Sequence, residues 1–168
     1  MDIKDVSIEL LSDKHDFTNF SCLDPDFNEF IREDAYELHQ KKLAQTYVLV
    51  KSGKCIGYCS ISMDGIHKNR IEKHADYKYD HIPAFKIARL AVDTSHKGNE
   101  YGKLLVLYCI SLVKKFTQYI GCRLVVVDSK IDYVNYYKKE MHFKEAKTKK
   151  RNYKTLYLDM LRSEKTPK

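Results

Sequence analysis

The chain has 168 residues, 43% hydrophobic and 32% charged, which suits one sizeable core, leaves little room for a second full domain and excludes a disordered or membrane composition. The longest apolar stretch, Leu104 to Val113, is too short to cross a bilayer, and the opening Met1-Asp2-Ile3-Lys4 lacks the apolar run of a secretory signal, so a cytoplasmic protein without membrane contact is expected. The net charge of +7 is concentrated: residues 138–154 hold eight basic side chains against Glu140 and Glu145, a local excess of +6, while residues 1–137 balance.

Val6 to Leu11 reads as a first strand. A helix follows, with Asp24 as N-cap, Pro25 at the first helical position and Asp26 in the first turn. Phe27, Phe30, Ile31, Tyr36 and Leu38 recur at roughly helical spacing and predict one apolar face. Thr46 to Val50 and Cys55 to Met63 are β-rich runs about the turn Lys51-Ser52-Gly53-Lys54, the pattern of a hairpin. Gly57 inside the second run predicts a bulge or a close backbone approach. Residues 64–84 are polar and rich in His and Tyr, without a clean period. They read as an irregular insertion or a poorly patterned helix, the kind of segment that carries substrate contacts.

The second half is more regular. Phe85 to Val92 predicts a strand, 93–100 a loop, and Tyr101 to about Gln118 an apolar helix. Leu124 to Val127 predicts a buried strand, Tyr133 to about Glu140 a helix, and short strands near Phe143 and over Tyr153 to Met160 close the chain. Strand, loop, helix and strand in succession imply a right-handed crossover. The fold class is α/β (α+β) with a mixed sheet in a single domain over 1–168.

Five scattered cysteines (Cys22, Cys55, Cys59, Cys109, Cys122) form no Cys-x-x-Cys pair, and the seven histidines show no metal-ligand spacing, so reduced thiols and no metal site are expected. Period-two alternation would put Cys55 and Cys59 on one face of their strand.

The chemistry concentrates in the loop Asp93-Thr94-Ser95-His96-Lys97-Gly98-Asn99-Glu100-Tyr101-Gly102, between an apolar strand and an apolar helix. Amides at a helix start have no internal partner, the macrodipole adds positive charge there, and glycines allow close approach, which together suit a phosphate. Lys97 and Lys103 add a favourable field.

The run Ala88-Arg89-Leu90-Ala91-Val92-Asp93, then Lys97-Gly98-Asn99-Glu100-Tyr101-Gly102-Lys103-Leu104-Leu105, resembles the signature of GNAT acetyltransferases. That signature is a strand ending in Leu-Ala-Val-Asp, then a Gln/Arg-x-x-Gly-x-Gly/Ala loop opening a helix. The resemblance implies that the backbone of Leu90, Ala91 and Val92 pairs with the pantetheine arm of acetyl-CoA. It implies likewise that Lys97, Gly98, Asn99, Glu100, Tyr101, Gly102 and Lys103 hold its pyrophosphate. Lys97 stands where Gln or Arg is usual. Glu100 stands where the family has its middle glycine, and a positive φ there would strain a non-glycine residue.

Downstream, Asp128-Ser129-Lys130 and Tyr133-Val134-Asn135-Tyr136-Tyr137-Lys138-Lys139-Glu140-Met141-His142-Phe143 resemble the family's Asp-Ala … Ala-x-x-Phe-Tyr-x-x-x-Gly-Phe segment. The resemblance implies that Tyr137 is the general acid that protonates the leaving CoA thiolate. The spacing to Phe143 is one residue long and His142 replaces glycine, so Tyr136 stays a candidate. Phe20-Ser21-Cys22, Leu23 to Ala35, Thr46-Tyr47-Val48 and Ile56-Gly57-Tyr58 resemble a branch that includes tRNA-acetylating toxins of toxin–antitoxin pairs. Matching segments run through roughly residues 16–160.

The resemblance implies a GNAT-like, mixed, mostly antiparallel twisted sheet with helices on both faces, and direct acetyl transfer to a primary amine in a ternary complex. Backbone N–H groups near Val92 would stabilise the oxyanion. No motif names the base; Asp64, His67, His74 and His81 are candidates. Arg89 is expected to pair with a carboxylate, or else to contact the cofactor or an anionic substrate. Implied partners are an amine-bearing small molecule, protein or charged tRNA, RNA contact through 138–154, and a homodimer. Three readings stay open: an acetyltransferase for a small or protein amine, a toxin acting on aminoacyl-tRNA, and a GNAT-like module that Glu100 has deprived of its cofactor.

Overall fold

The computed structural model of the chain describes residues 5–72, 77–147 and 152–163. Strands β1 (Val6–Leu10), β2 (Gln45–Lys51), β3 (Lys54–His67), β4 (His81–Val92), β5 (Leu124–Lys130), β6 (Lys144–Glu145) and β7 (Tyr153–Asp159) form one sheet, ordered β1-β2-β3-β4-β5-β7-β6. The β4–β5 pair is parallel, whereas β1–β2, β2–β3, β5–β7 and β6–β7 are antiparallel. Helices are α1 (Pro25–Glu29), α2 (Ala35–Gln40), α3 (Tyr101–Phe116), α4 (Ile131–Glu140) and α5 (Met160–Ser163). Contacts divide the chain into two compact units, Met1–Ser62 with Ala88–Cys109 and Met63–Ile87 with Ile110–Lys168.

In the first unit, Asp24 caps α1 by accepting from Asp26 N, and Pro25 stands at the first helical position, as the sequence predicts. A π-helical turn, Phe30–Asp34, joins α1 to α2, with Ala35 N donating to Phe30 O. That turn widens the spiral by one residue. The buried face is therefore Phe30, Ile31, Ala35 and His39, while Tyr36, expected on the apolar face, is 43% exposed. The face packs with Val48 of β2, Tyr58 of β3 and Ala91 of β4. Tyr58 lies among the rings of Phe17, Phe20 and Phe30, and its hydroxyl donates to Phe27 O at 2.8 Å.

The β2–β3 turn places Ser52 at φ 47° and Gly53 at φ 75°, the two left-handed residues of a type I′ hairpin. Further along, Leu49 pairs with Gly57 but Val50 with Cys55, so Ile56 is a bulge. One extra residue reverses which side of the sheet each side chain faces. Cys55 consequently packs with the α1-side cluster, and Cys59 lies 3.4 Å from Cys109 of α3, Sγ to Sγ; the two cysteines do not share a face as expected. Gly57 also meets the second expectation of close approach. A Cβ there would lie 3.0 Å from Ala91 O and 3.4 Å from Leu105 Cδ1. Helix α3 thus covers one side of this part of the sheet and α1–α2 the other.

In the second unit, Ile66, Ile82, Ala84, Leu124, Val126, Ala146 and Tyr157 form the core. Arg123 donates to both carboxylate oxygens of Asp159, at 2.6 and 2.8 Å, a bidentate pair. The expected irregular insertion over 64–84 is corrected at both ends. β3 continues to His67, a 3-10 turn covers Lys68–Arg70, and β4 begins at His81. The polar outer residues of these strand extensions hide the alternation, since only Ile66, Ile82 and Ala84 are buried there. α4 starts at Ile131, two residues before the expected Tyr133.

The phenol and the ring of Tyr58 contribute separately. Tyr58→Phe is expected to lower stability by about 1 kcal/mol for the lost hydrogen bond, and Tyr58→Ala by about 3–5 kcal/mol for the cavity. Urea unfolding measures both, and equal losses would contradict this account.

Candidate functional site

β4 pairs with β5 from Ala84–Leu124 to Ile87–Val127, and the register does not extend to Ala88–Val92. Leu90, Ala91 and Val92 therefore lie outside that ladder, on an extended backbone suited to pairing with an extended ligand. At the end of the strand Asp93 makes a junction. Its N–H donates to Ile56 O at 2.9 Å. Oδ2 accepts from Ser21 N at 2.8 Å, and Oδ1 from Ser95 N at 2.9 Å and from Ser95 Oγ. Thr94 N donates back to Ser21 O at 2.9 Å. Burial pushes the Asp93 carboxyl up, but hydrogen bonds from the Ser95 side chain and the Ser21 and Ser95 backbone outweigh it and hold the carboxyl below its ordinary value.

A 3-10 turn, Thr94–His96, leads into the loop. Gly98 has φ 85° and Glu100 φ 58°. Leu104 N donates to Glu100 O at 3.0 Å, so the amides of Tyr101, Gly102 and Lys103 precede the first helical donor and have no partner within the helix. A Cβ on Gly98 or Gly102 would enter open space. Lys97, Gly98, Asn99 and Glu100 are exposed. The Glu100 carboxylate lies 3.4 Å from Lys103 Nζ and is 58% exposed. The Tyr101 side chain, in contrast, is buried and accepts from Lys51 Nζ at 2.8 Å; only its backbone can serve a ligand. Asn99 Nδ2 donates to His96 O at 3.2 Å. Open amides, two small or glycine positions and flanking lysines fit a pyrophosphate.

Tyr137 belongs to the second unit. It is 7% exposed on α4, and its ring packs edge-on against Tyr136 and Phe143, with centroids at 5.4 and 5.5 Å. Phe143 N donates to Tyr137 O at 3.0 Å across the helix end, where His142 adopts φ 57°. Tyr136 is half-buried beside it.

The base candidates separate. Asp64 lies 3.8 Å from Lys86 Nζ, His67 Nδ1 accepts from Asn69 N, and the His67 and His81 rings meet edge-on at 5.5 Å. His74 lies outside the described residues. Sequence reasoning missed a polar chain through Asp128, which accepts from Lys86 Nζ at 3.0 Å and from Thr155 Oγ1 at 2.6 Å. Arg70 Nη2 in turn donates to Thr155 Oγ1 at 2.9 Å. Lys86 between Phe85 and Ile87 was the available signal. Ser21 was also missed as the partner of Asp93. The expected carboxylate partner of Arg89 is absent among the described residues; its guanidinium lies over the rings of Phe27 and Phe30 instead.

The family model "Acetyltransferase (GNAT) family" matches residues 9–143. The chain belongs to the acetyltransferase (GNAT) family. It is an acetyl-CoA-dependent N-acetyltransferase, and the reading of a module without enzymatic activity is set aside. A tRNA-acetylating toxin of Mycobacterium tuberculosis is 25% identical over 118 residues, 70% of this chain and 71% of that protein. Among solved structures, AtaT complexed with acetyl-methionyl-tRNAfMet superposes with a TM-score of 0.86 at 21% identity, covering 95% of this chain and 98% of that one. A tyrosine-to-phenylalanine mutant of KacT gives a TM-score of 0.86 at 21% identity over 96% and 98%. AtaTR bound with acetyl-CoA gives 0.81 at 21% over 95% and 96%. These structural likenesses show the fold. Among the described residues, no helix of the acetyltransferase is long and apolar enough to cross a membrane.

Two predictions follow from the backbone of this acetyltransferase. Glu100→Gly and His142→Gly should each raise stability by about 1 kcal/mol by relieving left-handed strain, with the larger gain at Glu100 because histidine tolerates that region better; thermal unfolding reads the effect. Because the folded Asp93 value is lowered, its contribution is full above the ordinary range near ~3.9 and is lost as pH falls through the folded value. Asp93→Asn should therefore cost roughly 1.5–3 kcal/mol at neutral pH, with the gap closing in acid; a gap independent of pH would contradict the assignment.

Proposed function

We propose that the acetyltransferase acts on the α-amine of aminoacyl-tRNA, as the toxin of a toxin–antitoxin pair in the cytoplasm. The observation that carries this reading is the relative described as a tRNA-acetylating toxin. The AtaT structure with acetyl-methionyl-tRNAfMet, and its structure with the C-terminus of the antitoxin AtaR, extend the reading to RNA and antitoxin partners. The single domain expected over 1–168 is retained, because the family match runs through residues of both units.

In this reading Leu90, Ala91 and Val92 align the pantetheine arm by their backbone, and the 97–103 loop takes the pyrophosphate. Acetyl-CoA supplies the acyl group as a thioester. The amide near Val92 stabilises the oxyanion, the Tyr137 hydroxyl gives its proton to the thiolate sulfur as the amine nitrogen takes the acetyl group, and the proton that the nitrogen sheds returns to the tyrosinate through water. The phenol suits the task because its ordinary pKa lies not far above that of a thiol. Support comes from the motif position of Tyr137 and from the KacT and AtaT structures solved as tyrosine-to-phenylalanine mutants. No cysteine is given a catalytic role.

The basic segment supports the RNA reading less than its raw charge suggests. Lys138 and Lys154 lie 3.6 and 3.1 Å from Glu145, and Lys144 pairs with Glu72. Lys139 and Lys147 are exposed, while Lys149, Lys150 and Arg151 lie outside the described residues. Exposed pairs of this kind hold weakly and can exchange a carboxylate for a phosphate.

The test is transfer of labelled acetyl from acetyl-CoA to bulk aminoacyl-tRNA, compared with free amino acids and peptides. Preferential labelling of the RNA supports the reading; labelling of small amines or peptides alone overturns it. Tyr137→Phe should lower kcat by roughly 100-fold or more with little change in the KM for acetyl-CoA. An unchanged kcat would move the role to Tyr136. Gly57→Ala should weaken acetyl-CoA binding in calorimetry, since its Cβ would press on the Ala91 carbonyl at 3.0 Å.

A further inference from the structure

Arg89 is an exposed cation one residue before the cofactor strand Leu90–Val92. Its guanidinium carbon lies 5.4 Å from the Phe27 ring centroid and 5.3 Å from that of Phe30. Nη1 donates to Ala88 O at 2.9 Å. No ion pair involves Arg89 among the described residues, although the chain carries 23 acidic residues to choose from. A guanidinium held over two aromatic faces loses little freedom when it binds, and its remaining N–H donors form a planar fork that suits an oxyanion.

The strand decides which ligand that oxyanion belongs to. Successive side chains alternate between faces. Val92 Cγ2 and Leu105 Cδ1 of α3 both lie within 3.5 Å of the Cβ position of Gly57, so Val92 and Leu90 face α3, the helix whose first turn carries the pyrophosphate loop. Ala91 packs with Phe30, Ile31 and Tyr58, so Ala91 and Arg89 face the α1 side. Arg89 is thus on the opposite face from the cofactor's phosphate loop.

We propose that Arg89, stacked on Phe27 and Phe30, is an acceptor-side phosphate subsite and binds the phosphate of the nucleotide that carries the reacting amine. The proposal deepens the aminoacyl-tRNA reading and rests on it for the source of the phosphate. A free amino acid carries no phosphate, only a carboxylate beside its amine. In an aminoacyl ester that carboxyl is esterified, and the nearest anion to the amine is the phosphate of the terminal nucleotide. Arg89 would then position the acceptor and select it against free amino acids.

The test uses the whole protein saturated with coenzyme A, so that the cofactor's own phosphate site is filled. Adenosine 5′-monophosphate is titrated into wild type, Arg89→Lys and Arg89→Met, followed by NMR. Arg89→Met is expected to weaken binding at least about tenfold, as for loss of a charge-assisted hydrogen bond, with Arg89→Lys between the two and acetyl-CoA affinity unchanged. Free methionine should show no such dependence. With bulk aminoacyl-tRNA, the slope of log KM against log salt should fall by about one in Arg89→Met. A purely structural stack would lower the melting temperature and leave that slope alone. Equal nucleotide affinity in all three proteins, no binding by wild type, or methionine binding that depends on Arg89 in place of the nucleotide would overturn the subsite. Arg89-dependent nucleotide binding in an enzyme that does not acetylate aminoacyl-tRNA would keep the subsite for another phosphorylated amine and overturn the tRNA reading alone.

Discussion

Asp93 holds together three segments that are distant in sequence. Its backbone N–H reaches the Ile56 carbonyl, one carboxylate oxygen takes Ser21 N, and the other takes Ser95. The end of β4, the bulge of β3 and the approach to α1 are thereby fixed to one another. An amide of the same shape could accept at only one of these places, hydrogen bonds to a carboxylate are stronger, and the lowered pKa of Asp93 records that preference. The loop amides can be open to a ligand because this junction, rather than contacts of the loop itself, sets their position.

Two departures from the family's glycine pattern prove to be departures of side chain and not of backbone. Glu100 and His142 have φ of 58° and 57°, the region glycine enters most freely. At Glu100 the left-handed residue turns the chain so that the next three amides open α3. At His142 it ends α4 and brings Phe143 back against Tyr137. Each site keeps the turn and bears the strain of a side chain, roughly 1 kcal/mol of destabilisation. The Glu100 carboxylate itself is largely in solvent beside Lys103.

Two single-residue insertions aim much of the first unit. The π-turn at Phe30–Asp34 shifts the face of α2 by one residue and moves Tyr36 outward. The bulge at Ile56 sends Cys55 toward α1 and Cys59 toward α3. Insertions of this kind gather near functional sites because they re-aim side chains without breaking the surrounding ladder.

Most of the element order, the cap at Asp24, the hairpin turn at Lys51-Ser52-Gly53-Lys54 and the strand–loop–helix from β4 to α3 were legible in the sequence. Each rests on local chemistry: a capping side chain, an obligatory glycine, an apolar run bounded by turn residues. The sequence by itself also marked Gly57 as a place where backbone would come close. What it could not show depends on the partner and not on the residue. The faces taken by Tyr36, Cys55 and Cys59 hang on one-residue shifts that leave no compositional trace. The ends of β3 and β4 carry polar residues because they are exposed, so only pairing reveals them as strands. Arg89 reads as a candidate for a carboxylate until the tertiary structure places two phenylalanine rings against it, and Asp93 acquires its role only from Ser21, 72 residues away. Hydrogen bonds and stacking across such separations arise after the chain has folded, which is why only the tertiary structure decided them.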